Sequence, residues 1–310
     1  MSSDHHLDKF PPLLLLVVGA VAISFSPVFV KLIGPDRLGP TAIGFWRTFL
    51  GGISLFAVVL LRGSPLLMSP RLMGFAALIG LIFFGDLYVW HRSIIFCGAG
   101  MSTILGNTQV FATAVISFFV FKERLTTRYF ISAVSAMLGV VLLVGVLSDE
   151  VELDEQYVRG ILYGLATGIF YANYIVTLKW TGFKKPIPDV ILFMAWLSMS
   201  SAFCLGLAAL FETDALLPPD LESWIWLVCL GVIVQAFSWW LITASLHKTA
   251  ASRAGLILLL QPTLAMVWGV IMFAEQFTPW QLVGAIITLA AIYFGGLRSA
   301  IKAKQKRATS

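Results

Sequence analysis

The sequence contains few charged residues, few histidines and few cysteines. Only 12% of its 310 residues are Asp, Glu, Lys or Arg, whereas a typical soluble domain is about 25% charged. Cys97, Cys204 and Cys229 each lie inside an apolar run, which argues against a disulfide framework or a metal site. The P-loop, GxSxG and HExxH motifs are also missing from the sequence. These absences argue against a metalloenzyme, an ATPase and a serine hydrolase.

Apolar residues dominate instead. They make up 59% of the chain, and the mean hydropathy is +0.90, compared with about 45–50% apolar residues in soluble proteins. The first apolar run, 13–33, is long enough to cross a bilayer and therefore predicts a retained helix rather than a cleaved signal peptide. The composition predicts an integral membrane protein.

Runs of about 20 apolar residues predict membrane-spanning helices. Ten such runs separated by short connections predict an all-α integral membrane protein without an inserted soluble domain. The predicted spans are 13–33, 41–61, 72–95, 98–121, 129–147, 160–180, 190–211, 223–246, 252–274 and 279–297.

The distribution of charge predicts the orientation of the spans, because cytoplasmic loops carry an excess of Lys and Arg. If the N-terminal tail (1–12) is cytoplasmic, the basic C-terminal tail (298–310) is cytoplasmic as well. The acidic central linker (148–159) is then external. Both termini are therefore predicted to be cytoplasmic, and the location is predicted to be a bacterial inner membrane. The remaining cytoplasmic cations are Arg62, Arg71, Lys122, Arg124, Arg128, Lys179, Lys184, Lys185, Lys248 and Arg253.

Two stretches of the chain resemble each other at a fixed offset of 152 residues. QVFATAVISFFVFKERLTTRYF starts at Gln109 and QPTLAMVWGVIMFAEQFTPWQL starts at Gln261, and the offset also aligns Glu123 with Glu275. The chain is therefore predicted to contain two five-helix repeats, 13–147 and 160–297. Because five is an odd number, the repeats are expected to have inverted orientations, as in many secondary transporters.

The motifs FWRTFLGG (45–52), FKERLT (121–126) and FAEQFT (273–278) resemble the drug/metabolite transporter superfamily in its ten-helix EamA-type form. This resemblance implies export or exchange of small metabolites, often amino acids, without ATP hydrolysis. Two departures indicate that the repeats are not equivalent. The second repeat has Glu-Gln after Ala274, and its counterpart of Arg47 is Met199.

Ionisable residues inside spans are costly and usually face a cavity or a partner. Asp86 and Arg47 are predicted to lie at similar depths in the outer half of the membrane. They form either a structural ion pair or a site at which Asp86 binds a proton or a substrate amine. Trp90 and Ser93 share the face of Asp86 and are predicted to line a cavity, whereas His91 is predicted to lie at the membrane interface.

Amide and aromatic residues mark the middle of other spans. They either line the substrate pocket or bond and pack between helices. These candidates are Asn107, Gln109, Asn173, Gln235, Trp239, Gln261 and Trp268. Pro27 and Pro262 are predicted to kink their spans, and the stripe Gly160, Gly164 and Gly168 is predicted to serve close helix packing.

Glu123 and Glu275 are predicted at helix C-termini, where the helix dipole disfavours an anion. Lys122, Arg124 or Arg128 is expected to compensate Glu123, and the role of both glutamates is either structural or gating.

The predicted function is alternating-access transport of an amino acid or a related zwitterionic or neutral metabolite. The pocket is expected to be lined by spans three, four, eight and nine, with proton coupling through Asp86 as one source of driving force. The alternatives are an exchanger of anionic or phosphorylated metabolites and, from another class, a membrane enzyme or receptor. We expect no metal, no cofactor and no nucleic-acid partner, and the sequence is compatible with a homodimer.

Overall fold

The structure, a computed structural model, describes residues 10–34, 37–123, 125–144, 155–184, 187–212, 215–246, 248–274 and 278–297, except for a few side chains within the helices. All regular secondary structure in these ranges is helical. Most of the two predicted tails and of the acidic linker, together with Arg124 and Glu275, lies outside the described residues.

The helices follow one another with short connections. In chain order they are α1 (Pro12–Ile23), α2 (Ser26–Ile33), α3 (Pro40–Leu61), α4 (Pro70–Asn107), α5 (Gln109–Phe121), α6 (Thr127–Val144), α7 (Glu155–Lys184), α8 (Val190–Ala209), α9 (Leu221–Cys229), α10 (Trp239–Leu246), α11 (Ala251–Ile257), α12 (Leu260–Phe273) and α13 (Pro279–Ile292). Two π-helical segments, Leu230–Ser238 and Tyr293–Leu297, continue α9 and α13.

Among the described residues, eight helical stretches are long and apolar enough to cross a membrane. They coincide with predicted spans one to four and six to nine. Two shorter apolar helices, Thr127–Leu142 and Leu282–Gly295, occupy the positions of predicted spans five and ten. The prediction of an all-helical protein with multiple apolar spans is confirmed, and the number of ten spans stays a prediction.

Three predicted interruptions of helices can be compared with the structure, one between spans three and four and one at each of two prolines. The helix break predicted between spans three and four is wrong, because α4 continues to Asn107 and the chain turns at Thr108. The apolar stretches of span length in the described chain nevertheless end at Phe96 and resume at Ser102, close to the predicted boundary. This segment lacks proline, and a glycine inside a helix costs only about 1 kcal/mol. The breaks expected near the two prolines are confirmed, since Pro27 and Pro262 lie in the first turns of α2 and α12, just after helix interruptions.

The described residues group into two compact units. The first comprises the chain up to His91 together with Thr177–Lys248. Within it, α3 packs closely on the first π-helical segment through Gly51 and Gly231. A Cβ atom at position 51 would lie 2.5 Å from Cγ of Gln235, and one at position 231 would lie 2.7 Å from Cβ of Leu50. These glycines allow the backbones to approach and leave room for the Gln235 side chain.

The second unit comprises Arg92–Val176 and the chain from Thr249 onwards. Here α6 packs against α13, and the Thr288 hydroxyl donates to the carbonyl of Gly284 at 2.9 Å. The predicted packing role of the glycine stripe in α7 is confirmed. A Cβ atom at position 164 would lie 2.6 Å from Cβ of Leu105, and one at position 168 would lie 3.2 Å from the backbone nitrogen of Gln109.

Candidate functional site

Asp86 and Arg47 are both buried in the first unit, on α4 and α3. Their exposed fractions are 8% and 7%. Arg47 supplies an electrostatic attraction to the carboxylate. Oδ1 of Asp86 is fully buried and has no hydrogen-bond partner within the described part of the chain. A buried polar atom without a partner costs about 1–3 kcal/mol, so this oxygen is a functional candidate.

A hydrogen-bond network orients the guanidinium group of Arg47. Its Nε donates to Oε1 of Gln235 at 3.2 Å, and Nε2 of Gln235 donates to Oγ of Ser198 at 3.2 Å. Gln235 and Ser198 are completely buried. This network therefore joins α3 to the π-helical segment and to α8, and it limits the rotation of the arginine side chain.

Aromatic rings complete the surroundings of Arg47. Its Cζ lies 5.9 Å from the ring centroid of Phe83, at the outer range of a cation–π contact. Phe83 in turn makes an edge contact with Trp239 at 5.8 Å between centroids. Sequence reasoning named Trp239 but missed Phe83, which lies three residues before Asp86 on the same helical face. It also missed Ser198, which no spacing distinguished from the other serines.

Trp90, His91 and Ser93 follow Asp86 on α4 and can be compared with their predicted positions. Trp90 is half-buried, with its ring centroid 5.2 Å from that of His91. His91 is 7% exposed and packs where Gly44 of α3 leaves room for the imidazole, and its position at the membrane interface stays a prediction. In the second unit, Oγ of Ser93 donates to the Gly160 carbonyl at 2.9 Å and so joins α4 to α7.

The four candidate amides of the second unit, Asn107, Gln109, Asn173 and Gln261, donate hydrogen bonds to protein groups. Nε2 of Gln109 donates to the Gly255 carbonyl at 2.9 Å, and Nε2 of Gln261 donates to the Tyr171 hydroxyl at 2.8 Å. The side chains of Asn107 and Asn173 donate to carbonyls one turn earlier in their own helices. The bonds of Gln109 and Gln261 favour bonding between helices, whereas those of Asn107 and Asn173 remain within one helix. Contact of these four residues and of the half-buried Trp268 with a substrate stays a prediction.

Glu123 is stabilised by a helix N-terminus. Its Oε1 accepts from the backbone nitrogen of Ala251 at 2.9 Å, and its Oε2 accepts from Oγ of Ser252 at 2.7 Å and from the backbone nitrogen of Ser252 at 3.3 Å. Arg253 adds an electrostatic attraction. Lys122 adopts a left-handed conformation with φ of 53° that ends α5, so the carboxylate faces the positive end of α11. Backbone and hydroxyl donors at the start of α11 thus help to compensate the charge of Glu123, and Arg124, one of the cations expected to do so, lies outside the described residues.

Comparison with known proteins agrees with this architecture. The EamA-like transporter family model matches residues 10–145 and 158–296. A Salmonella typhimurium protein named "Probable amino-acid metabolite efflux pump" is 24% identical over 91% of this chain and 92% of its own length. An "Uncharacterized transporter" of Archaeoglobus fulgidus is 26% identical over 89% of this chain and 93% of its own. One solved structure superposes with a TM-score of 0.80 at 16% identity, covering 92% of this chain and 96% of that one. The chain therefore belongs to the EamA-like transporter family and is an integral membrane protein.

Proposed function

We propose that this protein is a secondary transporter that exports an amino acid or a related zwitterionic or neutral metabolite across a bacterial inner membrane. One observation carries the proposal. Asp86 is a buried carboxylate whose Oδ1 has no hydrogen-bond partner among the described residues, and it lies within the electrostatic influence of the oriented Arg47. Ionisable groups at membrane depth are costly and typically mark a substrate or ion pathway.

The two charges suit the two ends of a zwitterion. Asp86 would accept hydrogen bonds from an ammonium group, and Arg47 would attract a carboxylate. Phe83 and Trp239 would provide apolar surface beside them. The name of the Salmonella typhimurium relative, which refers to amino-acid metabolites, supports the same substrate class.

In this proposal ten helices form two inverted repeats with both termini in the cytoplasm, and the repeats support alternating access. Three observations support the duplication. Lys122 and Ala274, 152 residues apart, are the non-glycine residues with positive φ in the described chain, each at 53°. Helices α6 and α13 begin at Thr127 and Pro279, again 152 residues apart. The family model also matches in two stretches.

Protonation of Asp86 would couple transport to a proton gradient. The neutral acid no longer attracts Arg47 or a substrate ammonium group, so proton binding and substrate binding compete for the same oxygen atoms. A proton entering from outside would thereby promote release of the exported molecule. The Arg47–Gln235–Ser198 network would keep the guanidinium in place while Asp86 changes charge.

Proteoliposomes containing the purified full chain test this proposal. Transport of radiolabelled amino acids is measured with and without an imposed pH gradient, and Asp86→Asn is expected to abolish the response to the gradient. Glu155→Gln is the matched control, because Glu155 is an exposed carboxylate paired with Arg159. If the Asp86→Asn protein still follows the pH gradient as the wild type does, Asp86 is not the coupling group.

A second candidate, exchange of anionic or phosphorylated metabolites, is favoured by Lys179. This lysine is only 4% exposed in the first unit, so that unit buries a second cation besides Arg47. Counterflow of a phosphorylated sugar in the same proteoliposomes, together with no transport of any amino acid, would establish this alternative in place of the zwitterion.

A further inference from the structure

A groove on the second unit runs between α6 and the end of α13. It is open along one side, and its volume is about 530 Å³. Arg128, Ile131 and Ser135 line it from α6, and Ile287, Ala290 and Phe294 line it from the opposite wall. No residue of the candidate transport site lies in this groove. A molecule bound in the groove would therefore not be the transported substrate in its binding site.

The lining is mainly apolar, with the hydroxyls of Ser132 and Ser135 along it, and its cation Arg128 lies at one end of the groove. Thr127 and Arg128 lie at the start of α6, and the rise of 1.5 Å per residue places Ser135 about 10 Å further along the helix. Thr288 contacts Ala136, and a Cβ atom at Gly295 would contact Ser132, so α13 runs antiparallel to α6. The groove therefore has a cationic mouth near Phe294 and an apolar trough towards Ile287. This polarity matches an amphiphile lying parallel to a membrane-spanning helix.

The cation at the mouth is Arg128, which has no acidic partner in the part of the chain that the structure describes. Guanidinium groups bind phosphate through paired hydrogen bonds, and the Thr127 hydroxyl and the first backbone N–H groups of α6 offer further donors. Lys and Arg accumulate on the predicted cytoplasmic side, where inner-leaflet phospholipids are anionic.

We propose that this groove binds one anionic glycerophospholipid, with its phosphate at Arg128 and an acyl chain in the trough. The proposal rests on the groove, on the position of Arg128 at one end of it and on the lack of a carboxylate partner for Arg128 among the described residues, and not on the transported substrate. The lipid would bridge α6 and α13 and stabilise their packing.

Native mass spectrometry of the full chain in detergent, titrated with phosphatidylglycerol or phosphatidylcholine, tests the site. The wild type is expected to bind one phosphatidylglycerol about tenfold more tightly than phosphatidylcholine. Both lipids offer a phosphate to Arg128, but the choline cation of phosphatidylcholine offsets the phosphate charge and repels the guanidinium group. Arg128→Gln should remove this preference. Arg62→Gln, at an exposed position just after α3, is the matched control and should retain it. Ala290→Phe, which fills the trough, should weaken the binding of both lipids.

Equal wild-type affinity for the two lipids, or an unchanged preference in Arg128→Gln, would overturn the proposal. An equal loss in Arg62→Gln would overturn it as well, because it would indicate a general charge effect. Melting temperatures without added lipid check that each variant folds. If Arg128→Gln does not fold, Ser135→Leu is used in its place, because it blocks the trough from α6 and keeps the arginine. Phosphatidylglycerol binding by Ser135→Leu as tight as that of the wild type would refute the site.

Discussion

Replacing Glu123 tests whether this residue connects α5 to the start of α11. The carboxylate accepts three hydrogen bonds, two from backbone N–H groups and one from the Ser252 hydroxyl. A hydrogen bond to a charged group contributes about 1.5–3 kcal/mol, compared with about 1 kcal/mol for a neutral one. An anion at a helix N-terminus adds about 0.3–1 kcal/mol. Glu123→Gln, which keeps one acceptor oxygen, should therefore lower the free energy of unfolding by about 1–3 kcal/mol.

The assay is reversible unfolding of the purified protein in mixed micelles. Ser252→Ala removes only the hydroxyl donor and should cost about 1 kcal/mol. Glu155→Gln removes an exposed carboxylate that pairs with Arg159 one turn away, and should cost less than about 0.5 kcal/mol. If Glu123→Gln is no more destabilising than Glu155→Gln, the bonds to α11 do not contribute to stability and a purely gating role for Glu123 becomes the better explanation.

Three further outcomes follow from the packing and the charges. Arg47→Gln removes the donor to Gln235 and the attraction to Asp86, and it should cost about 1.5–3 kcal/mol. The Arg47→Gln/Asp86→Asn double variant should lose less than the sum of the single losses in a double-mutant cycle of unfolding free energies. Gly51→Ala should destabilise by about 1–3 kcal/mol, because its Cβ would collide with Gln235. Gly74→Ala, whose Cβ would meet nothing within 4 Å, should instead stabilise by up to about 1 kcal/mol, and thermal melts compare the two. The backbone N–H of Ser223 donates to Asp220 and lowers the pKa of this carboxyl below its usual 3.8. The stability contributed by Asp220 is therefore present above pH 3.8 and is lost as the pH falls through the lower folded pKa, so melting temperatures of wild type and Asp220→Ala should converge in acid.

The sequence predicted the helices well because apolar runs of span length have few alternatives. It failed at the boundary predicted between 95 and 98, because α4 continues through Gly98 and Gly100 to Asn107. Helix geometry tolerates isolated glycines, and the break occurs instead at Thr108, next to Gln109, whose side chain bonds across to Gly255. Prolines were better indicators, since Pro27 and Pro262 both follow real helix interruptions. A proline removes a backbone donor and clashes with the preceding turn, whereas a glycine only lowers helix propensity.

The candidate site shows a different limit. Asp86, Arg47 and Gln235 were identifiable because charged and amide side chains are rare in apolar spans, but the hydrogen-bond partners of the other candidates were not. Gln109 and Ser93 donate to the carbonyls of Gly255 and Gly160, and Glu123 accepts from the N–H of Ala251. Every residue type offers a backbone carbonyl, and every type except proline offers an N–H. Sequence alone therefore could not separate amides that bond between helices from amides that await a ligand. The structure makes this distinction through hydrogen bonding. The four candidate amides of the second unit donate to protein acceptors, whereas Oδ1 of Asp86 is buried and has no hydrogen-bond partner among the described residues. For this reason the proposed coupling depends on Asp86 rather than on the more numerous amides.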